Sequence, residues 1–106
     1  MVYNIHMDIN RIKAHISPVL KKYGVIRASL FGSALHKPLS EAHDVDLLVE
    51  LPKDRTGLDF VGYYMDLKDA LEDKIQKKVD LVQYHLIKKN LKPYIEKDQQ
   101  VIYSSL

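Results

Sequence analysis

The segment that most constrains the fold of this chain is residues 44–51, DVDLLVEL, with Pro52 directly after it. Its branched apolar side chains predict a β-strand, and Pro52 ends that strand because proline has no backbone N–H to give to a sheet. Side chains alternate between the two faces of a strand, so one face is apolar while Asp44 and Asp46 project from the other. The segment therefore predicts a sheet with a core on one side and two carboxylates on the other, about 6.6 Å apart along the strand.

Apolar residues at spacings of three and four predict two amphipathic helices, one before and one after this strand. Their core faces comprise Ile9, Ile12, Ile16, Leu20 and Tyr23 in the first helix and Phe60, Tyr64, Leu67, Leu71 and Ile75 in the second. Gly24 is placed to end the first helix in a left-handed conformation, whereas Pro18 predicts a kink or a break near Ser17. Thr56 and Asp59 resemble a capping box at the start of the second helix.

The remaining elements are three strands and a weaker helix. The strands are predicted at residues 25–31, 78–83 and 101–103, and the helix over residues 86–97, where Pro93 interrupts it. This order of elements predicts an α/β (α+β) fold with a small mixed sheet and flanking helices. The relative direction of the first two strands stays open. A length of 106 residues predicts one domain over residues 1–106.

Composition and charge exclude several classes of function. The chain has no cysteine, so disulfides, thiolate metal sites and cysteine nucleophiles are excluded. Its formal net charge of +2 is small and its basic residues are scattered, so we expect no direct nucleic-acid partner. The sequence has no apolar run near the roughly 20 residues that a membrane span needs, and no signal peptide is visible. We therefore expect a cytoplasmic protein that does not bind a membrane.

Three short motifs carry residue types that suit one reaction. Gly32 lets the backbone bend and approach a ligand closely, and Ser33 adds a hydroxyl and free amide donors, which favour phosphate. Asp44 and Asp46 crowd one strand face, which is costly unless a cation lies between them, and Mg²⁺ prefers such oxygen ligands. Asp80 lies in a strand between two apolar residues and can join the two acids if its strand pairs beside theirs.

Each motif alone also has an ordinary structural explanation. Gly32 and Ser33 could simply end a strand, Asp44 and Asp46 could be solvated residues on an outer face, and Asp80 could face water from an edge strand. Their order and spacing favour a shared role. The combination indicates metal-assisted transfer of a nucleotidyl group, with two metal ions clamping the attacking and leaving oxygens.

The ordered motifs resemble the minimal nucleotidyltransferase (MNT) family of the DNA polymerase β superfamily. The matching segments are KKYGV at 21–25, LFGS at 30–33, DVDLLVEL at 44–51 and VDLV at 79–82. The resemblance implies a polymerase β-like nucleotidyltransferase fold, ATP as the substrate and a site of three acids with two Mg²⁺ ions. It implies that Gly32 and Ser33 bind the triphosphate and that Asp44, Asp46 and Asp80 bind Mg²⁺ and carry the catalysis.

The chain departs from the family pattern just after the Gly-Ser pair. The family usually has a small residue and then Arg-Gly there, whereas this chain has Leu35, His36 and Lys37. His36 or Lys37 is a candidate to replace the arginine that contacts phosphate. In addition, His43 stands where a serine usually precedes the first acid.

The resemblance also implies a partner. Many minimal members are antitoxins that transfer AMP to a tyrosine of a HEPN-domain ribonuclease toxin, with which this chain would form a hetero-oligomer. A partner that brings its own acceptor hydroxyl explains how a chain this short could act without a recognition lobe. Two alternatives stay open: an antitoxin that neutralises the toxin by binding alone, and a nucleotidyltransferase that acts on a small molecule.

Overall fold

The computed structural model describes residues 9–31 and 44–106. In chain order, these residues form α1 (Ile9–Lys22), β1 (Arg27–Phe31), β2 (Asp44–Glu50), α2 (Gly57–Ile75), β3 (Lys78–Gln83), a 3₁₀ turn (Tyr84–Leu86), α3 (Lys92–Lys97) and β4 (Gln100–Ser104). All four strands lie within or next to the predicted segments. Within these two ranges, no helix combines the length and the hydrophobicity needed to cross a bilayer.

The described strands form one mixed sheet in the order β3-β2-β1-β4. β1 pairs antiparallel with both β2 and β4, whereas β2 and β3 run parallel. The parallel pair requires a crossover, and α2 provides it, as helices usually do between parallel strands. The mixed sheet with flanking helices is therefore confirmed, and the direction of the first strand pair is resolved as antiparallel.

The core lies between one face of the sheet and the two long helices. On β2, the predicted alternation is confirmed because Val45, Leu47 and Val49 are all buried in the core cluster with residues of α1 and α2. The opposite face carries the acids but is not fully open. Leu48 and its register partner Ser29 are also buried there. One face of β2 is thus packed in the core, while Asp44 and Asp46 at the start of the strand stay accessible on the other face.

Helix α1 runs through Pro18 without a break, so the predicted break is wrong. A proline inside a helix costs about 3 kcal/mol, because it removes a hydrogen bond and clashes with the preceding turn. Residues on both sides of it are buried: Ile16, Val19 and Leu20. Each such side chain contributes roughly 1.5–3 kcal/mol on burial, so the core offsets the cost. Ser17 further satisfies the carbonyl of Lys13 with its hydroxyl.

The helix ends follow the prediction at one position and contradict it at another. Gly24 ends the turn after α1 with a φ of 71°, a left-handed conformation that glycine adopts without strain. Thr56 is the residue before α2, but its side chain makes no capping hydrogen bond, so the predicted capping box is wrong. The carboxylate of Asp59 lies 3.8 Å from the guanidinium of Arg55 instead.

The buried face of α2 differs from the prediction in its first two turns. Tyr63, Leu67, Leu71 and Ile75 are buried, whereas Phe60 and Tyr64 are only half-buried. Tyr63 enters the core because its hydroxyl donates a hydrogen bond of 2.7 Å to the carbonyl of Tyr23, which satisfies the phenol. The strict spacing of four from residue 63 to residue 75 was the signal for this face.

Toward the C-terminus, Pro93 begins a helix rather than interrupting one. It lies in the first turn of α3, where a missing N–H costs nothing because that group has no helical partner. The predicted helix over residues 86–97 is therefore wrong in its first half, where the 3₁₀ turn ends and an irregular segment follows.

Substitutions on α2 test the core directly. Leu67 has no exposed surface and Leu58 is 89% exposed. We expect Leu67→Ala to lower the free energy of unfolding by about 2–5 kcal/mol, because it leaves a cavity in the packed core. The control Leu58→Ala should change it by less than about 0.5 kcal/mol. Chemical denaturation of both variants checks this, and equal effects would contradict the assigned core.

Candidate active site

Two neighbouring strands bring three carboxylates to one face of the sheet. Asp46 on β2 and Asp80 on β3 are register partners, and Asp44 lies two residues before Asp46. Register partners point to the same face, and neighbouring strands lie about 4.8 Å apart. Val79 and Leu81, on either side of Asp80, are buried in the core, so the carboxylate of Asp80 faces away from the helices. The sequence left this pairing open, and the structure shows that β3 pairs parallel with β2.

The chain leaves β1 beside these acids. Phe31, the last residue of β1, is the register partner of Asp46 on the other side of β2. The first described range therefore ends at a direct neighbour of Asp46. The predicted phosphate-binding residues Gly32, Ser33, His36 and Lys37 themselves lie outside the described residues.

The acids perturb one another. Burial, together with the nearby carboxylates of Asp80 and Asp44, raises the pKa of Asp46 above its ordinary value of 3.8. Both causes disfavour the charged form, since a carboxylate loses solvation when it is buried and is repelled by like charges. A cation placed among the three groups would relieve this repulsion.

The repulsion predicts a pH dependence of stability in the Mg²⁺-free protein. Because the folded pKa of Asp46 is raised, the unfolded chain ionises first, and stability falls as pH rises from about 3.8 through the folded pKa. Asp46→Asn should remove this loss. We expect the unfolding midpoints of the two proteins, measured with a chelator present, to diverge in favour of the variant across this interval. Parallel curves would contradict the assignment.

The carboxylates fit Mg²⁺ in its usual protein environment. Among residues 9–31 and 44–106, no group of three or more His, Cys, Asp or Glu side chains is arranged to hold a metal ion. Mg²⁺ seldom uses a complete protein cage, since it commonly takes one or two carboxylates and fills its other positions with water and substrate phosphates. The pair Asp46 and Asp80, with Asp44 on the same face, offers an oxygen set of this incomplete kind. The donors suit a magnesium ion that arrives with a phosphate substrate.

Tyr64 of α2 borders the site, a position that the sequence reasoning missed by placing it in the core. Its hydroxyl donates a hydrogen bond of 2.9 Å to the carbonyl of Leu81. Burial and the charge of Asp80 raise the pKa of this phenol. Beside it lies an open, largely apolar groove of about 370 Å³, whose lining includes Val61 and Leu86. Tyr64, whose pKa the charge of Asp80 raises, thus lines a surface on which large apolar side chains are exposed.

Comparisons with known proteins identify the family. Residues 14–105 match the model of the family described as polymerase beta, nucleotidyltransferase. A Methanocaldococcus jannaschii protein named "Putative protein adenylyltransferase MJ0435" is 43% identical over 89 residues, which cover 84% of this chain and 91% of that protein. The chain belongs to the polymerase β nucleotidyltransferase family.

Solved structures support the same fold. A structure described as a minimal nucleotidyltransferase superposes with a TM-score of 0.70 and 27% identity, covering 92% of this chain and 98% of that one. A chain from the complex of tri-AMPylated Shewanella oneidensis HEPN toxin with MNT antitoxin superposes with a TM-score of 0.65 and 16% identity, covering 92% of this chain and 73% of that one. At 16% identity the second likeness shows the fold alone.

Proposed function

We propose that this protein is a Mg²⁺-dependent protein adenylyltransferase that inactivates a HEPN-domain ribonuclease toxin by transferring AMP from ATP to a tyrosine hydroxyl. The observation that carries the proposal is the register of Asp46 with Asp80, with Asp44 on the same face, in a nucleotidyltransferase chain. Two comparisons support the chemistry: the name of the M. jannaschii relative, and the AMPylated toxin in the solved complex.

In this proposal the three acids bind the metal ions at the reacting phosphate, and one of them also accepts a proton. Asp44, Asp46 and Asp80 would hold Mg²⁺, of which two ions are expected, and the bound metal would neutralise triphosphate charge and polarise the phosphoryl group. Asp80 accepts the proton of the incoming hydroxyl. The acceptor oxygen bonds to the α-phosphorus, the bond to the bridging oxygen breaks, and pyrophosphate leaves. The triphosphate is assigned to a segment defined by sequence alone: Gly32, Ser33, His36 and Lys37.

The surroundings of Asp80 favour a protein acceptor over a small polar one. Leu86 is 66% exposed and Val61 is 53% exposed beside the groove that Tyr64 borders. Exposed apolar side chains next to a site are typical of protein–protein contacts. A protein acceptor also suits a domain of this size, because the partner supplies the element that positions the hydroxyl. The expected assembly is a hetero-oligomer with the toxin.

The test is a direct search for the product. The neighbouring reading frames are searched for a HEPN-domain protein, which is purified with this chain and incubated with ATP and Mg²⁺. We expect the intact mass of the HEPN protein to rise by whole adenylyl groups, with the modification on tyrosine, and no rise when a chelator is present. No mass change in a confirmed, intact complex would contradict the proposal.

A second candidate function is neutralisation by binding alone. It is favoured by one observation, the replacement of the usual Arg-Gly by His36 and Lys37 in the segment assigned to the triphosphate. Loss of nucleotide binding would leave an antitoxin that merely covers its toxin. The two functions differ in whether the acids are needed, and that difference can be measured.

A further inference from the structure

The outer edge of β3 is tied to α2 on both sides of Asp80. Among the strands within residues 9–31 and 44–106, β3 lies at the edge of the sheet, with β2 as its neighbour on one side. On its other side, the N–H of Val79 donates a hydrogen bond of 2.8 Å to the carboxylate of Glu72. The hydroxyl of Tyr64 donates one of 2.9 Å to the carbonyl of Leu81. Two side chains of a single helix thus bind the residues immediately before and after the acid.

This arrangement follows from the alternation of a strand. Val79 and Leu81 turn their backbone groups toward the outer edge, where none of the described strands pairs with them. Asp80, between them, has β2 and its register partner Asp46 on the inner side. The crossover places α2 along the outer edge, where Glu72 and Tyr64 reach the two flanking residues.

We propose that Tyr64 and Glu72, together called the edge clamp, are positioning residues that hold Asp80 in place opposite Asp46. The inference rests on the proposed function, because it assigns the clamp to the metal-binding acids of that site. An edge strand is held by a neighbour on one side only, so its position is less constrained than that of a central strand. A displacement of about 1 Å in a positioned group can lower a rate by about 100-fold.

The clamp is built from strong contacts. Glu72 also contacts Lys68, whose ammonium lies 3.2 Å away, and the hydrogen bond from Val79 lowers the pKa of the Glu72 carboxyl. An ionised acceptor makes the hydrogen bond charge-assisted and roughly twice as strong as a neutral one. Tyr64 is half-buried, and its ring lies 6.0 Å from that of Phe60, so its hydroxyl is aimed by packing.

A purely structural role is the competing explanation, since covering an edge also prevents aggregation. The chain offers a matched control for it. Tyr63, the neighbouring residue of α2, also donates its hydroxyl to a backbone carbonyl, that of Tyr23 at 2.7 Å. Tyr63→Phe therefore removes the same atom and the same type of bond from the same helix. A structural role predicts similar results for Tyr63→Phe and Tyr64→Phe.

The experiment titrates each purified, nucleotide-free variant with Mg²⁺ alone and follows the thermal unfolding midpoint. We expect Tyr64→Phe and Glu72→Ala to raise the apparent Kd for Mg²⁺ by roughly 10-fold, whereas Tyr63→Phe stays within about twofold of wild type. Glu72→Gln, which keeps an acceptor for Val79, should recover most of the affinity. Amide hydrogen exchange at residues 79–83 should be faster in the two clamp variants.

Transfer kinetics complete the test. In the complex with the toxin, we expect the clamp variants to lower kcat by roughly 10-fold while KM for ATP stays nearly constant, since the acid and not the nucleotide is displaced. Equal Mg²⁺ affinities in Tyr64→Phe, Glu72→Ala and Tyr63→Phe would overturn the clamp, whether or not AMP is transferred. If the Mg²⁺ affinities differ as expected but the wild-type protein transfers no AMP, the clamp is supported and the proposed function is overturned.

Discussion

Replacing Asp46 with asparagine is expected to abolish AMP transfer and, without Mg²⁺, to raise the unfolding midpoint. Asparagine keeps the shape of the side chain but removes the charge that Asp80 and Asp44 oppose. The same charge is needed to hold Mg²⁺, whose loss costs several kcal/mol of transition-state stabilisation, or roughly a 1,000-fold lower rate. Function and stability should therefore change in opposite directions at this one position.

Two measurements on the same preparation check this prediction. Transfer to the partner is followed by intact mass, and stability by thermal unfolding with a chelator present. Asp69→Asn is the control, because Asp69 is an exposed acid on α2 and its loss changes the net charge equally. We expect the control to transfer AMP like wild type. An Asp46→Asn protein that is inactive and also less stable would indicate a structural role for Asp46.

The strands that carry the site could be predicted from the sequence because their signals are local. β3 was predicted over residues 78–83 and is observed as Lys78–Gln83. Side chains alternate between the two faces of a strand, which places Val45 and Leu47 in the core and Asp44 and Asp46 on the other face. This follows from the geometry of a strand alone. Pro52 marks the end of the same segment. Such features need no knowledge of the rest of the fold.

The arrangement of these strands could not be predicted in the same way. The sequence left open whether β3 pairs with β2, and the register of Asp46 with Asp80 depends on how α2 crosses between them. The clamp residues were missed for the same reason. Glu72 and Val79 are seven residues apart, and Tyr64 and Leu81 are seventeen apart, so no periodic pattern connects them. Contacts of this kind arise only when the helix packs along the edge.

The errors in α1 and α2 have a common cause, which is that burial outweighs local preference. A kink or a break near Ser17 was predicted from Pro18 alone, but the buried residues around it stabilise the continuous helix. Tyr63 was left off the predicted core face, which began with Phe60 and Tyr64, yet it is buried and a backbone carbonyl accepts its hydrogen bond. Both outcomes depend on tertiary contacts, although the spacing of four from residue 63 to residue 75 was a local signal for the burial of Tyr63.

The double variant Asp44→Asn/Asp46→Asn is expected to keep its partner and lose its antitoxin function. Both side chains lie on the face away from the core and are exposed or half-buried, so the fold should persist. We expect the variant to co-purify with the HEPN toxin. AMP transfer to the toxin should be at least roughly 1,000-fold lower, so that the toxin stays unmodified and growth is not restored.

Growth of cells that express the toxin with each antitoxin variant decides between catalysis and binding. The matched control is Asp66→Asn/Asp69→Asn, which removes two exposed charges from α2 and should still restore growth. If the Asp44→Asn/Asp46→Asn protein restored growth as well, the acids would be dispensable and neutralisation would occur by binding. If it failed to restore growth while the complex persisted, the toxin would have to be silenced by the chemistry that these carboxylates support.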